Sequence, residues 1–164
     1  MKKIILLLAV FSATVINAQV YKGKGDIKFQ VGANIQNGGT GINVTTDFGI
    51  GENMSYGFSA TYLLSAEKIG DVKPKFEDRA DLKARFNANL ADVLGVEDKL
   101  DIYPGLDLGL RNFGAHIGVR YFFTDGFGVY SEAGFPIAQY DSDVHGFEHY
   151  NNQFTVNVGA SFNL

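Results

Sequence analysis

Two histidines four positions apart are the first residues of this 164-residue chain that suggest chemistry. His145 and His149 lie in the segment YDSDVHGFEHY, together with the carboxylates of Asp141 and Asp143. Histidines at this spacing chelate a metal ion when they share one face of a helix. Gly146 lies between them and weakens a helix, and carboxylates are common in exposed loops, so a solvated loop is the better interpretation. We predict no metal ion and no other cofactor, and name these four residues as the candidate ligands.

A second candidate chemistry is hydrolysis by a serine that a histidine and an acid activate. His116 and Asp107 supply the histidine and the acid on neighbouring predicted strands. The two serines considered as the nucleophile are unsuitable, because Ser131 shares the phase of the outward-facing residues and Ser59 belongs to a distant strand. Because no serine is placed to complete the triad, we predict that the protein is not an enzyme.

The elements that must position these residues are β-strands. The final segment, QFTVNVGASFNL (153–164), alternates apolar and polar residues without a break. This pattern predicts a strand with one apolar and one polar face. An exported chain that ends on such a strand is typical of outer-membrane barrels, because the last strand pairs with the first to close the sheet.

The same alternation predicts eight strands along the chain. They lie near 26–36, 41–51, 54–64, 82–90, 100–110, 113–123, 127–137 and 153–164. Each is long enough to cross a bilayer as a tilted strand, and the Asn37-Gly38 step predicts a tight hairpin. The predicted fold class is all-β, an eight-stranded antiparallel up-and-down transmembrane β-barrel.

Aromatic residues gather at the two ends of the outward faces of these strands. Eight belong to the end that holds the chain termini: Phe29, Phe48, Tyr56, Phe58, Tyr121, Phe123, Phe127 and Phe162. Four fall at the opposite end: Tyr62, Phe113, Phe135 and Phe154. Smaller aliphatic residues such as Val119 and Val158 lie between them. Two aromatic girdles around an aliphatic band are what a lipid bilayer requires of a barrel exterior.

The inward phase of the strands carries four cationic and four anionic residues. They are Lys28, Lys83, Arg85, Arg120, Asp47, Asp101, Asp107 and Glu132. Approximate registers place Lys83 opposite Asp107, Asp107 opposite His116, and Glu132 one step diagonal to Arg120. We therefore predict a buried ion-pair cluster of Lys83, Asp107, His116, Arg120 and Glu132 that fills the lumen.

The N-terminal residues 1–18 predict a cleaved signal peptide, and 19–164 the barrel domain. Lys2 and Lys3 precede an apolar run that is too short to span a membrane, and small residues lead to a cleavage site after Ala18. The chain contains no cysteine, which excludes disulfides and a lipid-modified cysteine. Its formal net charge of -4 argues against a nucleic-acid partner.

A soluble, secreted barrel of the lipocalin kind is the alternative fold, with the apolar phase facing inwards around a ligand. Its outer surface would then carry many glycines, among them Gly32, Gly105, Gly118 and Gly159, and the aromatic girdles would have no explanation. Glycines instead suit the lumen of a narrow barrel, where they leave room for large side chains. The transmembrane barrel is therefore the favoured interpretation.

One hairpin carries a resemblance to a known family. The segment GAHIGVRYFFTDGFGVYSEAGFPIA (114–138) resembles the hairpins of small outer-membrane β-barrel proteins of the OmpA, OmpX and OmpW kind, particularly those of Bacteroidota-type bacteria. The resemblance extends over 19–164 and contains no catalytic signature. It departs from the family at the last residue, Leu164, where an aromatic residue is usual, although Phe162 keeps the phase. The resemblance implies a place in the cell outer membrane and assembly by periplasmic chaperones and the barrel-assembly machinery.

These observations together predict a monomeric, non-enzymatic outer-membrane barrel with a side-chain-filled lumen. Its role would be structural, or would involve recognition through the long loops near 65–80 and 139–152. Outside a bacterium such loops meet outer-membrane lipid and lipopolysaccharide, whose phosphates suit interspersed lysines and arginines. The alternative function is a narrow, porin-like channel for small or hydrophobic solutes.

Overall fold

The computed structural model describes residues 20–95, 99–140 and 146–164 of the chain. Its eight strands are β1 (Ile27–Gln36), β2 (Gly39–Gly49), β3 (Met54–Ala66), β4 (Ala80–Ala88), β5 (Leu100–Gly109), β6 (Asn112–Thr124), β7 (Phe127–Gln139) and β8 (Thr155–Asn163). Two four-residue helices, α1 (Phe76–Arg79) and α2 (Ala91–Leu94), and a 3₁₀ turn (Phe147–His149) lie between strands. The alternation in the sequence did not reveal these short helical turns, because none is long enough to show a helical period.

Every strand pairs antiparallel with its neighbours in the chain, and β8 pairs with β1. Gly32 lies opposite Gly159 at this seam, and Ala33 lies opposite Val158. Closure leaves no unpaired strand edge, which allows all backbone groups of the strands to be satisfied within the sheet. The predicted fold class, a closed eight-stranded up-and-down barrel, is confirmed.

The two faces of the sheet have opposite chemistry. Polar residues such as Gln30, Asp101 and Arg120 are fully buried inside the barrel. Large apolar residues such as Phe58 and Val119 are exposed on the outside, as the phase of the alternation predicts. The core of this molecule is therefore polar and its surface is apolar, the reverse of a water-soluble domain.

The start of β1 and the end of β8 lie at one end of the barrel, the terminal end, and the longest connections lie at the other. At the terminal end β2 and β3 are joined by 50–53, and β6 and β7 by the short 125–126 turn. At the other end, which we name the outer end, α1 lies in the β3–β4 connection and the 3₁₀ turn in the β7–β8 connection. The β1–β2 connection is the predicted tight hairpin, with Gly38 at a φ of 72° that favours glycine.

Glycines also leave space for large aromatic rings in the narrow lumen. A β-carbon at Gly118 would overlap the ring of Tyr103, and one at Gly105 would overlap the ring of His116. The rings of Tyr103 and His116 therefore pack directly over the glycine that each faces on the neighbouring strand. Within the described residues, the helices are too short and too polar to cross a membrane.

Candidate functional site

The centre of the lumen is built around Arg85. Its Nη2 atom lies 2.6 Å from Oε2 of Glu132, and its Nε atom lies 3.2 Å from Oδ1 of Asp47. The side chains of Arg85 and Glu132 are only 1% and 6% exposed. These three residues come from β4, β7 and β2, so the arginine bridges walls of the barrel that are not neighbours in the sheet.

Arg120 forms a second ion-paired centre nearer the terminal end. Its Nε atom lies 2.9 Å from Oδ2 of Asp101, and Nη2 donates a hydrogen bond of 2.7 Å to Oδ1 of Asn89. Its guanidinium carbon lies 4.2 Å from the centre of the Tyr103 ring, a cation–π contact. Nη1 also lies 3.7 Å from Oδ2 of Asp47, so this carboxylate joins the two arginines into one network.

His116 connects the network to Asp107. Its Nδ1 atom lies 2.9 Å from Oδ2 of Asp107, while Nε2 lies 2.8 Å from Oδ1 of Asn87 and 2.9 Å from Nη2 of Arg85. In the tautomer that carries its proton on Nδ1, the ring donates to Asp107 and accepts at Nε2 from Arg85, which satisfies both contacts with charged groups. Both ring nitrogens are thus occupied by structural partners.

The hydroxyl groups considered for a catalytic triad lie elsewhere. Ser131 is exposed on the outer face of β7. Ser59 Oγ accepts a hydrogen bond of 3.0 Å from Nδ2 of Asn43. The arrangement around His116 and Asp107 is therefore one of ion pairs and amides, which can hold a lumen closed.

The structure corrects the predicted strand registers by two residues. Asp107 lies opposite Gly114 rather than His116, because the β5–β6 turn is Leu110-Arg111 rather than Arg111-Asn112. Moving the centre of a hairpin by one residue shifts every partner by two. Asp107 and His116 nonetheless meet as diagonal neighbours through their side chains.

The β4–β5 register also differs from the predicted one by two residues, which changes the partner of Lys83. Gly109 lies opposite Lys83, and Arg85 takes the predicted place opposite Asp107. The Lys83 ammonium lies 3.8 Å from Oδ2 of Asp81 on its own strand. Glu132 is one step diagonal to Arg120, as expected, but its ion pair is with Arg85.

Of the five predicted cluster residues, Asp107, His116, Arg120 and Glu132 belong to the central network, and Lys83 lies beside it. Arg85, Asp47 and Asp101 complete the network. The inward phase of the sequence contains all three, but choosing Arg85 over Lys83 as the central cation requires the observed register.

A second closure lies at the terminal end, where residues 20–26 fold into the mouth of the barrel. Val20, Tyr21 and Asp26 are buried there. The Tyr21 hydroxyl donates to the carbonyl oxygens of Met54 at 2.5 Å and Gly51 at 3.2 Å. Burial, followed by the nearby Asp26 carboxylate, raises the pKa of Tyr21 to about 12, so this hydroxyl remains a donor at neutral pH.

Lys28 is the basic residue that this mouth encloses. Its ammonium forms an ion pair with Asp26 and donates a hydrogen bond of 3.0 Å to Oδ1 of Asn163. It also lies 5.6 Å from the centre of the Phe122 ring. The sequence pattern placed Lys28 in the lumen, but the burial of Asp26 and Tyr21 depends on a segment that precedes the first strand and has no strand period.

The outer mouth is closed by uncharged amides. Gln36 Nε2 donates to Oδ1 of Asn151 at 3.1 Å, and Gln36 Oε1 accepts from the Asn151 backbone N–H at 2.8 Å. Asn112 Nδ2 donates to Oδ1 of Asn152 at 2.9 Å. Asn151 has a φ of 59°, a left-handed conformation that asparagine tolerates. The 146–154 segment is thereby held over the mouth.

A small polar cavity lies between the central network and the outer mouth. Its volume is about 20 Å³, room for about one water molecule. It is lined by Asn34, Asn43, Ser59, Thr61, Asp81, Lys83, Arg85, Asp107, Glu132, Gly134, Asn151, Thr155 and Asn157. An eight-stranded barrel is just wide enough for its side chains to fill, and this cavity fits that expectation.

The aromatic side chains of the terminal end form a contact belt around the outside. The ring centres of Tyr121 and Phe123 are 5.4 Å apart, those of Phe123 and Phe127 6.2 Å, and those of Phe127 and Phe162 5.6 Å. Phe29 continues the belt across the β1–β8 seam, 6.3 Å from Phe162. Phe48 and Tyr56 form a separate pair at 5.5 Å, and Phe58 is exposed nearby on β3.

Of the four candidate metal ligands, the structure describes His149. Asp141, Asp143 and His145 lie outside the described residues. The His149 ring lies 4.1 Å from the Tyr150 ring, and its Nδ1 atom lies 3.2 Å from the Gly146 carbonyl oxygen. Within 20–95, 99–140 and 146–164, no group of three histidine or carboxylate side chains could hold a metal ion.

The outer loop between β3 and β4 is anchored by Arg79. Its Nε and Nη2 atoms donate to the carbonyl oxygens of Leu63 and Leu64, both at 2.6 Å. Its guanidinium carbon lies 4.9 Å from the centre of the Tyr62 ring. Arg111, in the neighbouring β5–β6 turn, donates to the backbone carbonyl of Glu77. The loop is thus tied to the barrel at both of its sides.

Comparison with known proteins agrees with the fold and supplies no activity. No curated protein matches the sequence. A chain from the de novo design of transmembrane β-barrels is similar in structure, with a TM-score of 0.59 and 10% sequence identity over 87% of this chain and 98% of the designed one. At that identity the likeness concerns the fold alone. Residues 11–164 match a family of unknown function, DUF6646, and the chain belongs to that family.

Proposed function

We propose that the protein is a non-enzymatic, monomeric, integral outer-membrane β-barrel, exported by a signal peptide, with a structural or surface-interaction role. The observation that carries the proposal is the inverted distribution of polarity. Charged side chains such as Arg85, Arg120 and Asp101 are buried in the lumen, whereas Val119, Val158 and other large apolar residues are exposed. Only a surrounding hydrocarbon phase makes such an exterior favourable.

The apolar exterior favours this proposal over a soluble lipocalin-like barrel. Outward residues of different strands, among them Ile35, Leu82, Leu108, Ile117 and Phe135, are all exposed. Monomeric soluble proteins rarely expose a continuous apolar patch of more than a few hundred Å². A lipocalin-like protein also needs an apolar interior for its ligand, and here the lumen is lined by charges and amides.

The filled lumen favours a structural role over a narrow channel. Solute would have to pass the Tyr21 segment, the Arg85 and Arg120 network, and the amides around Asn151. Breaking buried ion pairs of this kind is costly. The channel remains the second candidate function because the small cavity beside Lys83 is polar.

The resemblance of segment 114–138 to OmpX-like proteins supports the proposed partners. These are outer-membrane lipid and lipopolysaccharide around the barrel, and periplasmic chaperones and the barrel-assembly machinery during biogenesis. The terminal strand β8, with Phe162 facing outwards, is the segment that we propose the assembly machinery recognises. The proposal includes no nucleic-acid partner and no cofactor.

Two measurements test this function. In washed outer-membrane fractions, we expect the mature protein to show heat-modifiable migration on gels, since a folded barrel runs differently from the unfolded chain. Recovery as a soluble periplasmic protein would contradict the membrane assignment. In planar bilayers, we expect no steady single-channel current, whereas reproducible conductance would favour the channel.

A further inference from the structure

The outer loop contains a basic pocket against the lipid-facing surface of the barrel. Its volume is about 240 Å³. It is lined by Leu64, Ser65, Ala66, Lys68, Lys73, Pro74 and Arg79. The lining therefore combines three cationic side chains with apolar groups and contains no carboxylate. An anion that also carries an apolar part is the kind of ligand that suits such a surface.

Two of the four acidic residues of the same loop, Glu77 and Asp78, have other partners. Glu77 pairs with Lys75, Oε1 to Nζ at 3.7 Å. Asp78 uses Oδ2 to accept a hydrogen bond of 2.7 Å from the backbone N–H of Lys75, which caps α1. Among the described residues, no carboxylate lies within ion-pairing distance of Lys68, Lys73 or Arg79. Their charges are available to an external anion.

Arg79 is already held in place. On the β4 side, the pairing of β3 ends where Tyr62 meets Ala80, so the carbonyl groups of Leu63 and Leu64 lie beyond the last β4 partner. Arg79 donates hydrogen bonds to both carbonyls from its Nε and Nη2 atoms, and its guanidinium lies over the ring of Tyr62. Because the guanidinium is fixed before any ligand binds, little further side-chain entropy is lost on binding.

The position of the pocket relative to the membrane identifies the ligand class. Tyr62 belongs to the outer aromatic girdle, and its ring lies 5.2 Å from that of Phe76. Phe76 is 71% exposed on α1, and Leu64, which lines the pocket, is 60% exposed. Aromatic girdles mark the headgroup level of a bilayer. Leu64 follows Tyr62 along β3 towards the outer end, so Leu64 and the basic residues lie at headgroup height or just beyond it.

We propose that this pocket binds the phosphorylated sugar headgroup of an outer-leaflet glycolipid, the lipid A part of lipopolysaccharide. The phosphate would contact Lys68, Lys73 and Arg79, whose charged donors suit phosphate oxygens. The sugar would occupy the remaining pocket volume beside Leu64, and the acyl chains would extend along the outward face of β3 on the other side of Tyr62. This inference rests on the proposed function, since it requires the outer end to face the outer leaflet.

The test uses the full mature protein refolded in phosphatidylcholine nanodiscs with a small mole fraction of diphosphoryl lipid A. Native mass spectrometry measures how much lipid A each variant retains. We expect the double variant Lys68→Ala, Lys73→Ala to retain it about tenfold more weakly, because two charge-assisted contacts are lost. The matched control is Lys75→Ala, in the same loop but paired with Glu77, which should bind like the wild type.

The second arm of the experiment varies the lipid while the protein stays the same. Dephosphorylated lipid A and phosphatidylglycerol should both be retained much less than diphosphoryl lipid A. Equal retention of either lipid, or unchanged binding by the double variant, would overturn the proposal. Heat-modifiable migration of the same samples reports insertion separately. A protein that inserts but does not select lipid A contradicts only the pocket, whereas failure to insert contradicts the membrane barrel itself.

Discussion

Ion pairs occupy two very different environments in this protein. In the central lumen, Arg85 and Glu132 approach to 2.6 Å and are 1% and 6% exposed. In the outer loop, Lys75 and Glu77 lie 3.7 Å apart and are 77% and 75% exposed. The partners are similar in charge, but only the first pair is removed from water and shares further contacts with Asp47 and His116.

The difference shows that burial, and not the number of charges, decides what an ion pair does here. An exposed pair is screened by water and salt and contributes little to stability. A buried pair is not a strong source of stability either, but the loss of one partner leaves an uncompensated charge. The lumen network therefore restricts which substitutions the barrel tolerates, whereas the outer loop leaves its charges available for interaction.

The largest expected effect is at the centre of the network. Arg85→Met should lower the free energy of unfolding by about 3 to 5 kcal/mol, because Glu132 and Asp47 lose their shared cation in a dry interior. Urea unfolding in lipid vesicles measures the change. The matched control is Lys83→Met on the same strand, whose side chain is 22% exposed, and whose loss should be clearly smaller. Equal losses of unfolding free energy in the two variants would mean that burial does not decide how much a charged residue matters.

An arginine introduced on the lipid-facing side of the sheet tests the assignment of that face. Val119→Arg or Val158→Arg should lower the free energy of unfolding in lipid by about 2 to 4 kcal/mol, since an arginine at mid-bilayer is poorly solvated. The same unfolding assay applies, and Ser131→Arg, which lies between the two valines in the sheet, should show a loss in the same range. If both valine variants fold in lipid as well as the wild type, the assignment of the outward face is wrong.

Asp107 should be less sensitive than Arg85, because its partner His116 keeps its contacts with Asn87 and Arg85. Asp107→Ala leaves Nδ1 of His116 without its hydrogen-bond partner, and we expect a loss of about 1 to 3 kcal/mol in the free energy of unfolding. A double-mutant cycle with His116→Ala measures the coupling of the two side chains. A cycle with Lys83→Met should show little coupling, and strong coupling there would favour the register predicted from the sequence.

The smallest expected effect is in the outer loop. Lys75→Ala should change the free energy of unfolding by less than about 1 kcal/mol, because its pair with Glu77 is exposed to solvent. In the wild type, raising the salt concentration until this pair is screened should not shift the urea midpoint. A loss comparable with that of Arg85→Met would mean that the loop supports the barrel directly.

Several features of the barrel follow from the sequence alone. The period-two alternation determines the number of strands, the outward placement of residues such as Phe29 and Val119, and the inward placement of the charged residues. These depend only on the pleat of a strand and the preference of each side chain for its surroundings. The metal-ligand hypothesis for His145 and its neighbours stays untested, since His149 alone lies within the described residues.

Only the tertiary structure decided which inward residues meet. Arg85 rather than Lys83 lies opposite Asp107 because the β4–β5 register differs by two residues from the one that the sequence suggests, and the β5–β6 register differs by two as well. The burial of Tyr21 and the fixing of Arg79 depend on contacts with β3, far from both residues in sequence. Alternation specifies the face on which a side chain lies, but contact across a lumen depends on register and closure, which are properties of the whole sheet.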